Sequence, residues 1–496
     1  GALAFESLLA LGEASRADGD MAAAQVAFEK ALASRPDSEE AKAGLGRALL
    51  DRDQPREALS KLEGEGRKVA LVRAAAWVRL GEWRRVRAEV ARTRVEDTYP
   101  PEAIIYLAFA DAADGAHDKA REALEKTLEA TKTAKAEVRA ALGLLHLQEK
   151  ALDKASTLLE EAVSEGSRDY EAPCALGRLL VSRGLPDLAL EPLKQAVERN
   201  GSHGEAREAL GRALLALGRT DEALKQFEAW QLDNPGAAAA HKGFSLALYQ
   251  AGRVKDAEEA SGRAVKLEPR DAEAHRVRAA ILFAKGDVSG GFKALESSNK
   301  LDSKSPGTFC EIAFAFLRQG IAVNAAKAFE AARREGPDAP CGRVGEYWVK
   351  TSGGRTAAKV LEGIAEKAPT AWDRAFAQAA LARVLLEAGS PKEARAAADE
   401  AVRLAPFSGR SHFALGVVAH AQKDVATAEK ALSRAVELEP ADGLAWLALG
   451  DARAGKPSEA ARALEAYQSF LRFAEGSPEA GRVKRALPAL ERRAGR

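Results

Sequence analysis

The sequence predicts an all-α fold of repeated helix-turn-helix units, and three observations support this prediction. The same residue types recur 34 residues apart along the middle of the chain. Aromatic residues make up only 6% of the 496 residues, and the runs of valine, isoleucine and threonine typical of strands are missing. Most repeats also have a glycine after the first helix, and many have a proline at the end. Such a fixed period indicates a solenoid, in which every repeat packs only on its neighbours.

The repeat is clearest at residues 204–237. The residues that define it are Leu210, Gly211, Gly218, Ala223, Phe227 and Pro235, and their counterparts one period later include Gly252, Ala257 and Pro269. Small residues in the helices let two antiparallel helices approach closely, and the turn glycine supplies a backbone angle that other residues resist. The proline cannot continue a helix, so it separates one repeat from the next.

This pattern resembles the tetratricopeptide repeat family, whose repeats carry Leu-Gly, a turn glycine, an alanine with an aromatic residue or leucine, and a final proline. The resemblance implies a right-handed α-solenoid, or superhelix, of about 13–14 repeats with a C-terminal capping helix. We divide the chain into N-terminal repeats, a degenerate basic repeat, a central array, a second degenerate repeat, C-terminal repeats, and a capping helix with a tail. These stretches are residues 1–66, 67–100, 101–338, 339–374, 375–476 and 477–496.

The charge and cysteine content exclude some broad classes. The net charge is +1, which does not indicate a general nucleic-acid or membrane binder, and no apolar run approaches the ~20 residues of a membrane span. Cys174, Cys310 and Cys341 lie far apart, so we do not expect a disulfide framework. The chain begins without methionine, so we expect a processed chain or a piece of a longer protein. We favour a cytoplasmic location. If an N-terminal signal or anchor has been removed from the chain, we expect a periplasmic or membrane-associated location instead.

No catalytic motif is present. The HExxH, paired CxxC, phosphate-loop and GxSxG patterns are missing, and Gly353-Gly354 is best explained as a turn. His412 and His420 are two helical turns apart, which is too far for a shared metal site. Adjacent carboxylates on a helix point about 100° apart and cannot form an acid/base pair. We therefore predict no catalytic residue, no metal and no cofactor, and hence no enzyme.

The resemblance implies that the first helices line a concave face, with groove-facing residues at the second, fifth, ninth, twelfth and thirteenth positions of each repeat. Helix geometry keeps these positions on one stripe. In repeats six to eleven the stripe mixes cations with aromatic residues, which carry much of the binding energy at interfaces. We predict a peptide-binding groove that holds an acidic or amphipathic partner segment; the alternative is that the stripe is polar only because water covers it. Its residues are Arg178, Arg212, Lys242, Tyr249, Arg276, Phe283, Phe314, Arg343, Tyr347 and Lys350.

The third repeat offers a second candidate surface. Residues 67–94 contain nine basic and two acidic residues, with Trp77 and Trp83 between them. We predict a basic docking patch for an acidic protein, formed by Arg84, Arg85, Arg87, Arg92 and Arg94. The alternatives are a solvated helix paired with acidic neighbours, such as Glu96 and Asp97, and RNA binding. RNA binding is disfavoured because no recognition motif is present.

From these observations we predict a non-enzymatic protein–protein interaction scaffold that assembles a multiprotein complex. The composition rich in alanine and arginine resembles that of bacterial proteins. Analogy of fold suggests a role in bacterial envelope, pilus, secretion or motility machinery. The alternatives are a substrate-recruiting or regulatory arm of a larger enzyme and, more weakly, RNA binding through the basic repeat. Nucleic acid is otherwise not expected as a partner.

Overall fold

The structure, a computed structural model, describes residues 2–131, 134–167, 170–201 and 203–495. Over these residues it contains 29 α-helices, a short 3₁₀ helix at Pro457–Glu459 and no β-strand. In chain order the helices form fourteen repeats of two helices, followed by a last helix. The predicted all-α solenoid of about 13–14 repeats with a capping helix is therefore confirmed.

The first helices of the repeats carry the odd numbers and the second helices the even numbers. The first helices are α1 (Ala2–Ala17), α3 (Glu39–Asp51), α5 (Arg67–Arg79), α7 (Pro101–Ala113), α9 (Lys135–Gln148), α11 (Glu171–Ser182), α13 (Gly204–Ala216), α15 (Ala238–Gln250), α17 (Ala272–Lys285), α19 (Pro306–Arg318), α21 (Pro340–Val349), α23 (Ala371–Glu387), α25 (Gly409–Ala421) and α27 (Gly443–Ala454). The others are α2 (Met21–Ser34), α4 (Pro55–Lys61), α6 (Trp83–Ala91), α8 (His117–Ala130), α10 (Leu152–Ser164), α12 (Pro186–Arg199), α14 (Thr220–Asp233), α16 (Val254–Leu267), α18 (Val288–Leu301), α20 (Ala322–Glu335), α22 (Gly354–Lys367), α24 (Pro391–Leu404), α26 (Val425–Leu438), α28 (Ala460–Ala474) and the final α29 (Ala480–Arg493).

Backbone contacts group the chain into two compact parts, which we call the N-terminal lobe (Gly1–Ala213) and the C-terminal lobe (Leu214–Arg496). The finer division into six stretches made from the sequence stays a prediction. Within the described residues, no helix has the length and apolar character needed to cross a membrane.

Helix pairs close tightly because a glycine on one helix faces a large side chain on the other. A Cβ added to Gly12 would lie 2.7 Å from the Phe28 ring, and one added to Gly143 would lie 2.7 Å from Leu159. The ninth repeat has Gly291 where alanine is usual, because the ring of Phe283 would lie 2.7 Å from an added Cβ. The predicted role of small residues in close helix packing therefore holds at these positions.

The link between repeats is held by a recurrent hydrogen bond. In four repeats, a ring N–H donates to the carbonyl oxygen of the proline six residues earlier, at 2.9–3.0 Å. The four pairs are His241 with Pro235, His275 with Pro269, His412 with Pro406, and Trp446 with Pro440. These three histidines therefore have a structural partner that explains their presence without a metal.

The turn inside each repeat requires a left-handed backbone. Gly184 has φ 73° and meets this requirement without steric cost. Three repeats place another residue there, with positive φ at Asp53, Lys150 and Lys423. A side chain in this conformation costs about 1–2 kcal/mol. These repeats therefore carry local strain that a glycine would relieve.

The irregularity expected in the second repeat is present. Helix α4 has only seven residues, and the chain beyond it turns through Gly64, which has φ 113°. The guanidinium of Arg73 donates to the carbonyl oxygens of Leu62 and Gly64, at 3.0 and 2.7 Å. The short segment is therefore tied to α5 rather than left as a loop.

The cysteine prediction requires a correction. Cys310 of α19 and Cys341 of α21 form a disulfide bond, with Cα atoms 6.3 Å apart, whereas Cys174 is unbonded and buried. The two bonded cysteines are 31 residues apart in sequence. They meet because the first helices of successive repeats pack side by side, so residues about one period apart become neighbours.

The last helix covers the end of the array, as predicted. Helix α29 packs on α28 and buries Val483 and Leu490. Its outer side carries cations, of which Arg482 pairs with Asp451 at 3.0 Å. A polar outer face on a terminal helix keeps the exposed end of a solenoid soluble.

The C-terminal lobe closes on itself. A Cβ added to Gly252, in the turn of the eighth repeat, would lie 2.7 Å from the ring of Phe407. One added to Gly320, in the turn of the tenth repeat, would lie 2.6 Å from Ser477. Helix α19 also contacts α27. Later repeats therefore lie on earlier ones, and the lobe covers much of its inner face with its own residues.

Candidate functional site

The aromatic residues predicted to line a groove in the C-terminal lobe are largely buried. Tyr249, Phe283 and Phe314 are 9%, 1% and 8% exposed. The ring of Tyr249 lies 5.6 Å from that of Trp372, and the ring of Phe314 lies 5.1 Å from that of Phe376. Phe283 packs inside its own repeat. The expectation that these three rings are exposed anchors is therefore corrected, because α23 fills the inner face and the repeat core holds Phe283.

Two of the predicted cations in this lobe are already paired. The ammonium of Lys242 lies 2.8 Å from Asp271 and 3.0 Å from Glu273. Burial opposes the charge of Lys242, but Glu273 and Asp271 raise its pKa above the ordinary value. Arg276 also contacts Glu273, at 3.3 Å. Lys242 thereby links two neighbouring repeats, whereas Arg276 pairs within its own helix, and both pairs leave the cations less free to bind a partner.

The other predicted groove residues lie nearer to solvent. Arg343 and Lys350 are exposed on or just beyond α21, and Tyr347 between them is half-buried. In the N-terminal lobe, Arg178 forms an ion pair with Glu205. Arg212 lies 3.5 Å from Glu208 on its own helix. The predicted set is thus distributed over both lobes and includes both core and surface residues.

The basic patch is mostly neutralised within the chain. Arg87 contacts Asp111 at 2.7 Å and Asp114 at 2.9 Å. Arg94 contacts Asp97 at 2.6 Å, Arg92 contacts Glu89 at 3.6 Å, and Arg85 stacks 4.3 Å above the ring of Trp77. Arg84 is exposed, and no ion pair is found for it within the described ranges. The alternative of a solvated helix with acidic neighbours fits this arrangement better than a docking patch.

The N-terminal lobe has an open inner face that the sequence analysis did not single out. Four adjoining depressions of about 930, 660, 340 and 260 Å³ follow the first helices from α1 to α11. Each shares lining residues with at least one other depression, so together they form one continuous surface. We call it the N-terminal groove; its central lining residues are Arg47, Val78, Glu102, Tyr106, Phe109, Glu137, Leu144 and Ala175.

One end of the N-terminal groove is apolar. The depression of about 660 Å³ lies between α5, α7, α9 and α11, and the side chains of Val78, Trp83, Phe109, Leu144 and Leu179 line it. Phe109 and Trp83 are only half-buried, so their rings remain reachable from the groove. A cavity of this size is large enough to accept a large apolar side chain of a partner.

The other end of the groove is charged. Arg16 is held by Asp51 at 3.2 Å, and Arg79 by Glu171 at 3.1 Å and by the Tyr170 hydroxyl. The Arg16 pair joins the successive first helices α1 and α3, whereas the Arg79 contacts cross the lobe from α5 in the third repeat to α11 in the sixth. Because the charges of both arginines are balanced by these carboxylates, the unpaired charged side chains at this end determine what it can bind.

Four charged side chains at this end have no such pairing, and one of them is Lys135 at the start of α9. In the part of the chain that the structure describes, no hydrogen bond or ion pair is found for Arg47, Glu102 or Glu137, although all three line the groove. Glu102 and Glu137 lie in the first turns of α7 and α9, where the helix dipole favours a carboxylate. Over the described residues, the free charges at this end therefore consist of two carboxylates, the guanidinium of Arg47 and the ammonium of Lys135.

The sequence matches family models that are described as tetratricopeptide repeat. One model matches residues 174–241, 242–306 and 379–440, and a second matches residues 15–63. The matched segments extend over α1–α4, α11–α18 and α23–α26, with boundaries that fall inside helices. The chain belongs to the tetratricopeptide repeat family. No curated protein matches it. Tetratricopeptide repeat proteins bind other proteins or peptides and are typically non-enzymatic scaffolds.

Three solved structures similar to this tetratricopeptide repeat protein have low sequence identity to it. A tetratricopeptide repeat protein from Parabacteroides merdae is 18% identical, covering 50% of this chain and 98% of its own, with a TM-score of 0.43. The APC/C hetero-tetramer Cut9–Hcn1 matches at 14% identity over 97% of this chain and 96% of its own, with a TM-score of 0.44. A thermophilic tetratricopeptide repeat protein from Thermus thermophilus matches at 23% identity over 36% and 98%, with a TM-score of 0.34.

The groove of this tetratricopeptide repeat protein presents apolar and charged side chains. Over the described residues, no group of three or more histidine, cysteine, aspartate and glutamate side chains could hold a metal ion. In the groove, burial is the main cause that lowers the pKa of His203, so its ring is neutral at pH 7 and packs on Tyr170 at 4.8 Å. Among the described residues the groove supplies apolar surface, two carboxylates, one guanidinium and the ammonium of Lys135.

Proposed function

We propose that this protein is a scaffold that binds a segment of a partner protein in the N-terminal groove. The observation that supports the proposal most strongly is the contrast between the inner faces of the two lobes. The N-terminal lobe also has contacts across it, from Gly19 to Glu198 and from Arg79 to Glu171, but its groove keeps a depression of about 930 Å³. In the C-terminal lobe α23 and α25 cover the inner face and leave a cavity of about 320 Å³. A partner segment therefore has room to enter the first and not the second.

The groove determines the chemistry of the segment that we propose. An apolar side chain, aromatic or branched, would fill the depression beside Phe109 and Leu144. A lysine or arginine of the same segment would pair with Glu102 and Glu137, which have no ion pair with other described residues. Such charge pairs set orientation and association rate, whereas the buried apolar anchor governs dissociation.

The proposed binding surface differs from the one that the sequence predicts. The earlier expectation was an acidic segment along the cations and rings of repeats six to eleven. It is not carried forward for the C-terminal lobe, because Lys242 and Arg276 are paired and Tyr249, Phe283 and Phe314 are buried. An amphipathic segment remains part of the proposal, now with a basic residue beside its apolar anchor.

We also propose that the partner belongs to bacterial envelope, pilus, secretion or motility machinery. The support is the composition rich in alanine and arginine, together with an analogy of fold. Copurification from the native organism, followed by mass spectrometry, tests this process. Reproducible capture of partners from unrelated processes only would contradict it.

The binding proposal is tested with a peptide selected on the purified protein from a random display library. We expect the selected sequences to combine an apolar residue with a basic one. Glu137→Lys and Glu102→Lys should weaken the binding of such a peptide by about 10–100-fold, because each replaces an attraction with a repulsion. Glu125→Lys makes the same change on the exposed side of α8 and should leave the affinity unchanged.

Two outcomes of the titration would contradict the proposed function. One is an equal loss of affinity for Glu137→Lys and for the Glu125→Lys control. The other is undiminished binding after both groove carboxylates are reversed. Circular dichroism of each variant establishes that a loss of affinity does not arise from unfolding.

A further inference from the structure

The C-terminal lobe contains a cavity between its earlier and later first helices. Its volume is about 320 Å³, and side chains from α15, α17, α19 and α21 form one wall. The opposite wall comes from α23 and from the start of α25, and the cavity is open to solvent. The volume falls in the range of about 300–1,000 Å³ that is typical of small-molecule sites.

Two guanidinium groups line this cavity. The guanidinium of Arg410, at the start of α25, lies 3.7 Å from the centre of the Phe314 ring. Over the described residues, no hydrogen bond or ion pair is found for Arg410. Arg276 on α17 lies against Gly307, where an added Cβ would be 3.1 Å from the Arg276 Nε atom, and it contacts Glu273 at 3.3 Å. A guanidinium has five N–H donors, so both groups retain donors for a ligand.

The carboxylates around the cavity are engaged elsewhere. Asp373 lines the cavity, but it accepts a hydrogen bond at 2.7 Å from the hydroxyl that caps its own helix, and burial raises its pKa. The Glu311 Oε2 atom has no accessible surface, and the charge of Glu311 acts on the buried Arg318. Glu439 forms its ion pair with Arg318 and lies beyond ion-pair distance of Arg410. Arg410 is therefore a charged group of the lining without a counter-ion in direct contact.

The backbone adds positive charge to the same cavity. Its lining includes residues in the first turns of four helices, α19, α21, α23 and α25. The N-terminus of a helix carries partial positive charge, because its first N–H groups have no partner within the helix. Side chains cap α19, α23 and α25, whereas no side chain caps α21. These termini support the two guanidinium groups in favouring an anion.

The rest of the lining is mostly apolar. The Tyr249 and Trp372 rings lie 5.6 Å apart, and the Phe314 and Phe376 rings lie 5.1 Å apart edge to face. Aliphatic side chains from α15 and α17 complete these walls. Such walls favour a ligand with a hydrocarbon or aromatic body, and the exclusion of water by that body strengthens an ion pair beside it.

We propose that this cavity binds a small organic carboxylate with a compact apolar body. The guanidinium of Arg410, assisted by that of Arg276, donates N–H groups to the two carboxylate oxygens, which match its planar geometry. The body packs against the aromatic rings. A single negative charge is favoured because Asp373 remains in the lining. This site is independent of the N-terminal groove, and neither proposal requires the other.

Isothermal titration of the full chain with a panel of matched compounds tests the proposal. The carboxylates are 3-phenylpropionate, cyclohexanecarboxylate and 4-methylpentanoate, and the matched compounds without a negative charge are 3-phenyl-1-propanol and 3-phenylpropylamine. We expect saturable binding of at least one carboxylate with a stoichiometry of one. The matched alcohol and amine should bind at least tenfold more weakly, because they lack the anionic acceptor.

Variants of the cavity localise the binding. Arg410→Gln should weaken carboxylate binding at least tenfold, and Arg334→Gln, an exposed control on α20, should leave it unchanged. Arg276→Gln gives a second, independent loss, and Ala280→Leu narrows the cavity and should also weaken binding. These two variants keep the test valid if Arg410→Gln fails to fold, which circular dichroism reports.

The proposal is overturned if no carboxylate of the panel binds saturably to the wild-type chain, which would leave water as the occupant. It is also overturned if the alcohol or the amine binds as tightly as the matched carboxylate. A third contradiction is unchanged carboxylate binding in every folded variant of the cavity.

Discussion

Arg318 and Glu439 form a buried ion pair although 121 residues separate them in the chain. The Arg318 Nε atom lies 3.0 Å from the Glu439 Oε2 atom, and each side chain is 4% exposed. Burial opposes the charge on Glu439, but Arg318 and Arg410 hold its pKa below the ordinary value. The pair joins α19 to the segment before α27, and it is one of the contacts by which the C-terminal lobe covers its inner face.

Breaking this ion pair should destabilise the C-terminal lobe. Arg318→Leu leaves the Glu439 carboxylate buried without its partner, at a cost of about 3–5 kcal/mol. The double variant Arg318→Leu with Glu439→Leu removes both charges and should recover a large part of that loss. Urea denaturation followed by circular dichroism measures both changes. A double variant that is no more stable than Arg318→Leu would contradict this account of the pair.

A half-buried aspartate should make the stability of this lobe depend on pH. Burial, reinforced by the charge of Glu439, raises the pKa of Asp442 from 3.8 to about 6. The stabilisation associated with the protonated side chain is fully present below pH 3.8 and is lost as the pH rises through 6. Asp442→Asn should therefore be more stable than the wild type at pH 8, and the difference should vanish near pH 4.

The expected gain at pH 8 is about 1–2 kcal/mol, less than the full shift implies, because Asp442 is partly exposed. Asparagine can still accept the hydrogen bond from the Ala445 backbone N–H, so the helix cap is retained. Asp424→Asn, at the corresponding cap of α26, is the control and should show no gain at pH 8. An equal gain in both variants would contradict the pH argument.

Replacing a strained turn residue with glycine should stabilise the N-terminal lobe. Lys150 has φ 60° at the turn of the fifth repeat, where a side chain is unfavourable. Lys150→Gly should raise the free energy of unfolding by about 0.5–1 kcal/mol. The reverse change at the corresponding turn, Gly184→Ala, should lower it, because Gly184 has φ 73°. Thermal denaturation measures both, and stabilisation by Gly184→Ala would refute the argument.

The disulfide predicts a simple labelling pattern. Protein purified under oxidising conditions, denatured without reductant and treated with iodoacetamide should be modified only at Cys174. Prior reduction should expose Cys310 and Cys341 as well and should destabilise the C-terminal lobe by about 2–4 kcal/mol. Mass spectrometry of the peptides reads the labels. Modification of all three cysteines before reduction would show that the bond does not form.

Most of the fold follows from local sequence pattern. The turn glycines recur about every 34 residues, and so do the small residues that pack against large side chains. Each helix pair could therefore be located from the sequence without the structure. Gly12 against Phe28 and Gly143 against Leu159 are contacts between helices adjacent in the chain. The pairing of Cys310 with Cys341 was missed because it joins equivalent helices of different repeats.

The candidate site was less predictable, because it depends on how tightly the repeats coil. The repeat positions that are expected to face inward did identify residues of the groove. Glu102 and Phe109 occupy the second and ninth positions of repeat four, Glu137 and Leu144 occupy those of repeat five, and all four line the groove. The sequence prediction placed the site in repeats six to eleven because it took cations and aromatic rings as the signal. Trp372, more than one hundred residues away in sequence, covers Tyr249, and no local pattern reports such a contact.

Photo-crosslinking tests the central claim, that the partner segment binds in the N-terminal groove, most directly. A photoreactive group replaces the apolar anchor of the selected peptide, and mass spectrometry of the crosslinked full-length protein identifies the modified residues. The account predicts crosslinks on α7, α9 and α11, at or beside Phe109, Leu144 and Leu179, with competition by the unmodified peptide. Crosslinks confined to the C-terminal lobe, and removed by the same competition, would contradict it.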